Sequence, residues 1–369
     1  MKFHSTSSRI NGLDTLRACA ILLVLMYHYM VFVSHEPSFG FLSEIGWMGV
    51  DLFFVLSGYL IGNQIFAGLQ SEHGFSLKTF YIRRALRTLP NFYVVLAIYF
   101  LFPIEAGGKA VTPLWKFLTF TQNFDLKPGS AFSHAWSLSI EEQFYVALPL
   151  VAIACMTYLK SVRAMWLVLF AAMAGAAGMR YLMGQQVGDD FTQYYVHIYY
   201  STWCRFDELL PGVALALLKN YHPQRWSLAL KHGHLSLFGG AVLSGVAMVL
   251  FSFYNYVEGQ GFIWFTTTFG YSLLAAGFAL LTLAALSPNS VLYRWRIPGA
   301  SVLALWSYAL YLLHKPLMNA FIPCFEAWGL SVKSWMGIGA MFVLSLLGAY
   351  VLYRVVETPF MQLRDRYFS

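Results

Sequence analysis

Charged side chains make up only 11% of this chain, and several of them lie inside long apolar runs. A titratable group at membrane depth is expensive, so each one there marks a functional candidate. Arg17 and His28 fall in the first run, eleven residues apart. That is about three helical turns, which puts both on one face and separates them by roughly 16 Å along the axis. His314 lies in a late run with Tyr308, Tyr311, Lys315 and Pro316, at nearly the depth of His28. Asp51, Glu141 with Glu142, and Arg205 with Asp207 stand near the outer ends of three further runs. By depth alone, His28, His314, Asp51, Glu141, Glu142, Arg205 and Asp207 can meet in one layer of the outer membrane half. A neutral imidazole in such a layer can take a proton from a hydroxyl or attack a carbonyl itself. A neighbouring carboxylate would orient the ring or stabilise the imidazolium; Glu142 is the first candidate, and Asp51 is counted with it in the catalytic set. His314, Tyr311 or Ser57 can stabilise a tetrahedral oxyanion. Two histidines with acids also have the composition of a metal site, but their spacing matches no known ligand pattern and no metal is expected. The readings that involve no chemistry are a snorkelling Arg17, a satisfied core histidine, and a capping box of Ser139 and Glu142.

A second group would serve binding. Arg83, Arg84 and Arg87 fall within five residues, with Lys78 nearby. Three guanidinium groups so spaced suit a phosphate-rich ligand, with Arg17 at the mouth of the same entrance. The plainer alternative is a positive loop that binds anionic lipid head groups. On the opposite face, residues 191–203 hold Phe191, Tyr194, Tyr195, Tyr199, Tyr200 and Trp203. Their ring faces can stack on sugars, and Tyr199, Trp203 and Arg205 are the acceptor-binding candidates. An interfacial aromatic belt is the alternative for the rings.

The elements that must position these groups follow from composition. Of 369 residues, 58% are apolar, and the mean hydropathy is +0.58. A soluble domain carries about 25% charged residues. The low charge therefore excludes a soluble fold, and an aromatic content of 18% excludes disorder. The apolar runs are continuous rather than alternating, which argues against a β-barrel. What remains is an all-α polytopic membrane protein. Ten segments reach or approach the length of about 20 residues that a spanning helix needs. They lie near 13–33, 45–68, 89–106, 137–159, 164–183, 205–218, 233–253, 262–286, 299–323 and 334–356. The basic, amphipathic stretch 75–88 reads as a separate interfacial helix, and the aromatic segment 113–124 as one that dips into the interface.

With the N-terminus inside, the inner loops carry sixteen Lys and Arg, Lys2 and Arg9 among them. The outer loops carry five: Lys109, Lys116, Lys127, Arg180 and Lys333. This asymmetry predicts ten helices with both termini cytoplasmic. It also accounts for the net charge of +7 without nucleic acid as a partner. Cys19, Cys155, Cys204 and Cys324 have no CxxC spacing and are expected as buried small hydrophobes. No internal repeat, long linker or cleavable signal peptide is visible, so residues 1–369 read as one domain.

Several blocks, in this order, resemble the acyltransferase-3 family of integral membrane O-acyltransferases. The first is Ile10-Asn11-Gly12-Leu13-Asp14-Thr15-Leu16-Arg17-Ala18, with ten residues between Arg17 and His28. Next come Gly49-Val50-Asp51-Leu52-Phe53-Phe54-Val55-Leu56-Ser57-Gly58-Tyr59 and Arg83-Arg84-Ala85-Leu86-Arg87-Thr88-Leu89-Pro90. Trp136-Ser137-Leu138-Ser139-Ile140-Glu141-Glu142-Gln143-Phe144 follows. The run Ser307-Tyr308-Ala309-Leu310-Tyr311-Leu312-Leu313-His314-Lys315-Pro316 and the triplet Glu357-Thr358-Pro359 complete the set.

The resemblance implies a bacterial inner-membrane enzyme with acetyl-CoA as a cytoplasmic co-substrate. Its acceptor would be a hydroxyl of a cell-surface glycan, such as lipopolysaccharide, or of a lipid-linked sugar precursor. It implies His28 as the catalytic residue, and Arg17, Arg84 and Arg87 as donor-binding or structural. Asp207 stands where many members carry an aromatic residue. The chain also stops soon after the tenth predicted helix, without the hydrolase-like C-terminal domain of some members. It is therefore expected to act alone or with a separate partner, among membrane lipids. The rival reading is a transporter of a small or lipid-linked substrate, which predicts flux without acetyl transfer and gives no reason for the basic stretch.

Overall fold

The computed structural model describes residues 10–108, 112–258 and 260–368, so Lys2, Arg9 and Lys109 of the loop count lie outside the described residues. The first long helix, α1 (Asn11–Tyr29), continues through a wide turn at Met30–Ser34. A short α2 (Phe41–Ile45) leads to α3 (Gly49–Gln70) and α4 (Leu77–Leu101). Then come α5 (Leu114–Leu118), α6 (Trp136–Ile153) and α7 (Val162–Val187). Two single turns, α8 (Phe191–Tyr194) and α9 (Thr202–Arg205), precede α10 (Leu210–Tyr221) and α11 (Pro223–Lys231). After α12 (Gly233–Phe253), strands β1 (Tyr256–Val257) and β2 (Gly261–Phe262) form an antiparallel hairpin with Tyr256 opposite Phe262. The helices α13 (Tyr271–Leu286), α14 (Val291–Arg294), α15 (Ala300–Ala327), α16 (Trp335–Leu352) and α17 (Thr358–Tyr367) follow.

Seven of the described helical stretches are long and apolar enough to cross a membrane. Helices α4 and α15, at 25 and 28 residues, have the length without the same apolarity. The bundle is built around α1, which packs on α3, α13 and α15, while α15 also packs on α4 and α16. Large apolar side chains such as Leu167 and Phe170 on α7, Phe238 on α12 and Leu347 on α16 point outward, as a surface facing hydrocarbon requires. Helices α3 and α10 approach so closely that a Cβ at Gly58 would strike the Leu209 carbonyl, and one at Gly212 the Val55 carbonyl. Such small-residue crossings let backbones pack tightly where no hydrophobic force drives helices together.

The structure departs from the predicted elements in four places. The basic stretch 75–88 is not a separate interfacial helix: α4 runs unbroken through it and past Pro90. Ser76 caps the start by accepting from the Thr79 N–H. The segment 205–218 is broken into α9, a tight turn at Phe206–Leu209, and a 12-residue α10 that opens with a proline. Arg180, assigned to an outer loop, sits inside α7 and is fully buried. A bidentate bond to Asp207 neutralises it there, so the helix continues through it. Cys155 and Cys204 are buried, but Cys19 is exposed and Cys324 half-exposed.

Candidate active site

The residues expected in one layer separate into three clusters. The first is a group of histidines. His28 on α1 and His314 on α15 meet with Nδ1 of His28 2.7 Å from Nε2 of His314. Their rings are parallel to within 7°. His314 Nδ1 lies 2.9 Å from the Leu310 carbonyl. A carbonyl only accepts, so His314 Nδ1 carries the hydrogen. In the neutral ring Nε2 then accepts, and the hydrogen between the two rings belongs to His28 Nδ1. The chain of bonds therefore leaves the lone pair of His28 on Nε2, the nitrogen that has no partner among the described residues. Lys315, also buried, donates to Ser133 Oγ at 3.3 Å and lies 4.3 Å over the Phe32 ring.

The second cluster lines a cavity of about 790 Å³ between the starts of α1, α4 and α15 and the C-terminal helix α17. Arg17, Arg84 and Arg87 face it, with Ser57, Glu141, Glu142, Tyr145 and Tyr308. Glu141 accepts from Ser57 Oγ at 2.9 Å and from the Tyr145 hydroxyl at 3.0 Å. Arg84 stacks 4.2 Å over the Tyr145 ring. Among the described residues, none of the three arginines donates a side-chain hydrogen bond or forms an ion pair, and Arg84 Nε is buried without a partner. Guanidinium donors left unspent in a concave site are prepared for an anionic ligand. At its deep end the cavity reaches Ser137 and Tyr311. The Tyr311 hydroxyl donates to the His134 carbonyl at 2.5 Å and, its one hydrogen spent, accepts from Ser137 Oγ at 2.7 Å. Asp14, Glu357 and Asp365 also line the cavity, and the Tyr311–Ser137 pair forms the wall between it and the histidines.

The third cluster is a set of buried ion pairs. Arg205 donates to Glu208 through Nε, to Asp51 at 2.9 Å and to the Tyr199 carbonyl at 3.1 Å. The rings of Trp136, Tyr199 and Tyr271 enclose it. Arg180 grips Asp207 at 2.6 and 2.9 Å, with Ser272 closing the network. Burial pushes the Tyr194 hydroxyl up to about 12, which keeps it a neutral partner for Tyr271 at 3.0 Å.

These placements correct part of the predicted site. Asp51 does not reach His28, because Arg205 holds it. Glu142 also forms no bond to His28: it faces the arginine cavity, one wall away. Its capping-box alternative is not realised either, since α6 starts at Trp136, three residues before Ser139. Arg205 is fully buried and spends its donors on protein groups, so it presents none to an acceptor. Tyr199 packs inward against Trp136, while Trp203 is exposed. Arg83 donates to the Phe368 carbonyl at 2.7 Å and does not line the cavity. On a helix it lies about 100° around from Arg84. Sequence reasoning missed His134 and the Arg180–Asp207 pair. His134 stands two residues before Trp136, and its place just ahead of a marked block was the available signal. Among the described residues, no group of three or more His, Cys, Asp and Glu side chains is arranged to hold a metal ion.

A family model described as an acyltransferase domain matches residues 10–354. A Bacillus subtilis protein provisionally named a peptidoglycan O-acetyltransferase is 28% identical over 395 residues, covering 100% of this chain and 57% of its own length. The peptidoglycan O-acetyltransferase OatA of Listeria monocytogenes is 26% identical over 371 residues, covering 95% of this chain and 55% of its own. A Staphylococcus aureus protein provisionally named an O-acetyltransferase is 26% identical over 378 residues, with coverage of 95% and 57%. The chain thus spans somewhat over half the length of these relatives.

Proposed function

The chain belongs to the acyltransferase-3 family of membrane proteins, and from that premise we propose that it moves an acetyl group from cytoplasmic acetyl-CoA to a glycan hydroxyl on the far side of the bacterial inner membrane. The observation that carries the donor side is the cavity with three uncommitted arginines. Coenzyme A is rich in phosphate at one end and carries its thioester on a long flexible arm. Arg17, Arg84 and Arg87 hold the phosphates, and the arm rises towards Ser137 and Tyr311. The roughly 16 Å between Arg17 and His28 along α1 matches such a reach. The wall formed by Tyr311 and Ser137 must open for the thioester to meet His28.

His28 is the catalytic residue in this reading, because its Nε2 lone pair is the one left free by the bonds to His314 and Leu310. The acetyl carbon leaves sulfur for oxygen, the C–S bond breaks, and the hydroxyl proton ends on the departing thiolate. The histidines carry that proton between the two. The acceptor is a cell-surface glycan or a lipid-linked sugar, approached past the exposed Trp203. This reading takes both termini as cytoplasmic, as the charge asymmetry of the loops predicts, with the arginines on the donor side and the histidines in the outer half.

The donor reading is tested by the double variant Arg84→Ala/Arg87→Ala. Each lost hydrogen bond to a charged group is worth about 1.5–3 kcal/mol, so the affinity for coenzyme A falls by at least roughly tenfold. Equilibrium binding to the purified full chain in detergent measures it. Unchanged affinity for coenzyme A would remove the arginine cavity from the account.

A further inference from the structure

We propose that His134 is a second catalytic histidine, the base that deprotonates the acceptor hydroxyl, while His28 carries the acetyl group as its nucleophile; this rests on the acetyl-transfer reading above. His134 lies on the tight turn Ser133–Ala135 that leads into α6. It is buried, and its ring centre stands 5.9 Å from that of His28 and 5.2 Å from that of His314. Its Nε2 lies 3.3 Å from the Leu312 carbonyl, which only accepts, so Nε2 carries the hydrogen. The lone pair of the neutral ring is then on Nδ1. That atom is buried and has no partner among the described residues.

A second orphan is carried by a neighbouring ring. The Tyr99 hydroxyl is also buried without a partner, on a ring 6.2 Å from that of His134. Buried polar atoms in folded proteins are paired with protein groups, water or ligand, so both atoms have capacity for a further hydrogen bond. One acceptor and one hydroxyl fit an incoming hydroxyl, which gives its hydrogen to Nδ1 and accepts from Tyr99. The residue is held for this at side chain and backbone: Leu312 fixes the ring through Nε2, and the Tyr311 hydroxyl donates to its main-chain carbonyl. Direct transfer would need one base only. Two free lone pairs on adjacent neutral rings suit a nucleophile and a separate base.

The steps balance as follows. His28 Nε2 forms a bond to the thioester carbonyl carbon, the C–S bond breaks, and the thiolate departs. The Nδ1 hydrogen of His28 passes to His314 Nε2, so the acetyl-imidazole is neutral and His314 holds the extra proton. The acceptor oxygen then attacks the acetyl carbon, and its proton goes to His134 Nδ1. The N–C bond breaks, and His28 recovers its hydrogen from His314. The departed thiolate takes a proton from water, giving coenzyme A, and the proton on His134 returns to water, so the sum is unchanged.

The test uses labelled acetyl-CoA alone, with water as the smallest hydroxyl, on the full chain in detergent. His134→Gln keeps an amide N–H for the Leu312 carbonyl and removes the Nδ1 lone pair. His134→Asn places an oxygen near Nδ1 that accepts a hydrogen bond but takes no proton. After excess donor is removed, wild type loses its acetyl label to water. Both variants are expected to hold the label about 10²-fold longer, with unchanged coenzyme A affinity, and His28→Ala takes up none. Equal label lifetimes in wild type and either folded variant would overturn the role of His134. Donor consumption by wild type with no label trapped on any form would overturn the covalent step and this inference, leaving acetyl transfer standing. No binding or consumption of acetyl-CoA by wild type would overturn the reading of the function itself, and the inference with it.

Discussion

His28→Ala is expected to lower acetyl transfer by about 10²–10⁴-fold, the range for loss of a positioned proton-transfer group. The effect should fall on turnover and spare donor binding. His28 belongs to the histidine cluster, whereas Arg17, Arg84 and Arg87 line a separate cavity behind the wall of Tyr311 and Ser137. The substitution removes one buried hydrogen bond, that to His314, at a cost of about 1–3 kcal/mol. His28 contacts the Phe32, His134 and His314 rings near the C-terminal end of α1 and takes part in none of the buried ion pairs. Initial rates with labelled acetyl-CoA, measured beside coenzyme A affinity, give both numbers from one preparation. Transfer within a few-fold of wild type would remove His28 from the chemistry. A matching fall in affinity would mean that the two clusters are one site.

Arg205→Ala should have its largest effect on stability. Arg205 is fully buried, and its removal leaves Asp51 and Glu208 facing one another without a cation. Breaking a buried ion pair from one side costs about 3–5 kcal/mol, because the remaining charge has nowhere to go. The loss also empties the space between the Trp136, Tyr199 and Tyr271 rings. Lys should not rescue it, since a point charge cannot serve two carboxylates and a carbonyl in the directions of a guanidinium fork. Asp51→Asn should be milder, because Arg205 keeps Glu208. Thermal unfolding in detergent, followed by tryptophan fluorescence, ranks the three. A midpoint for Arg205→Ala equal to wild type would show that the pair does not hold α3 against the α9–α10 junction.

Depth was legible in the sequence; direction around each helix was not. Counting residues from a helix start puts His28 and His314 at one level, and the structure brings them into contact. The same counting puts Asp51 and Glu142 near that level too, yet Arg205 holds one and the arginine cavity the other. Hydrophobic periodicity fails to separate them, because helices buried among helices are apolar on nearly every face. The helix positions themselves were readable, as at 233–253, which is α12 to the residue. Charge counting misled at Arg180, where a lone arginine looked like a loop and is a buried partner of Asp207. It misled again at Arg83, Arg84 and Arg87, whose density implied a surface helix where α4 runs on past Pro90. His134 stayed hidden because it lies on a turn, where no period marks it, and its meaning comes from neighbours far away in sequence.

In the proposed reaction the acetyl group passes from a donor on one membrane face to a hydroxyl on the other. Sealed vesicles of known orientation, given membrane-impermeant labelled acetyl-CoA from outside, separate the two faces. With the termini cytoplasmic, as proposed, inside-out vesicles expose the arginine cavity. They are predicted to accumulate alkali-labile acetyl ester on enclosed glycan, protected from added esterase, and to lose this with His28→Ala. Right-side-out vesicles should accumulate none. Equal labelling in both orientations, or ester formation that persists in His28→Ala, would contradict the account.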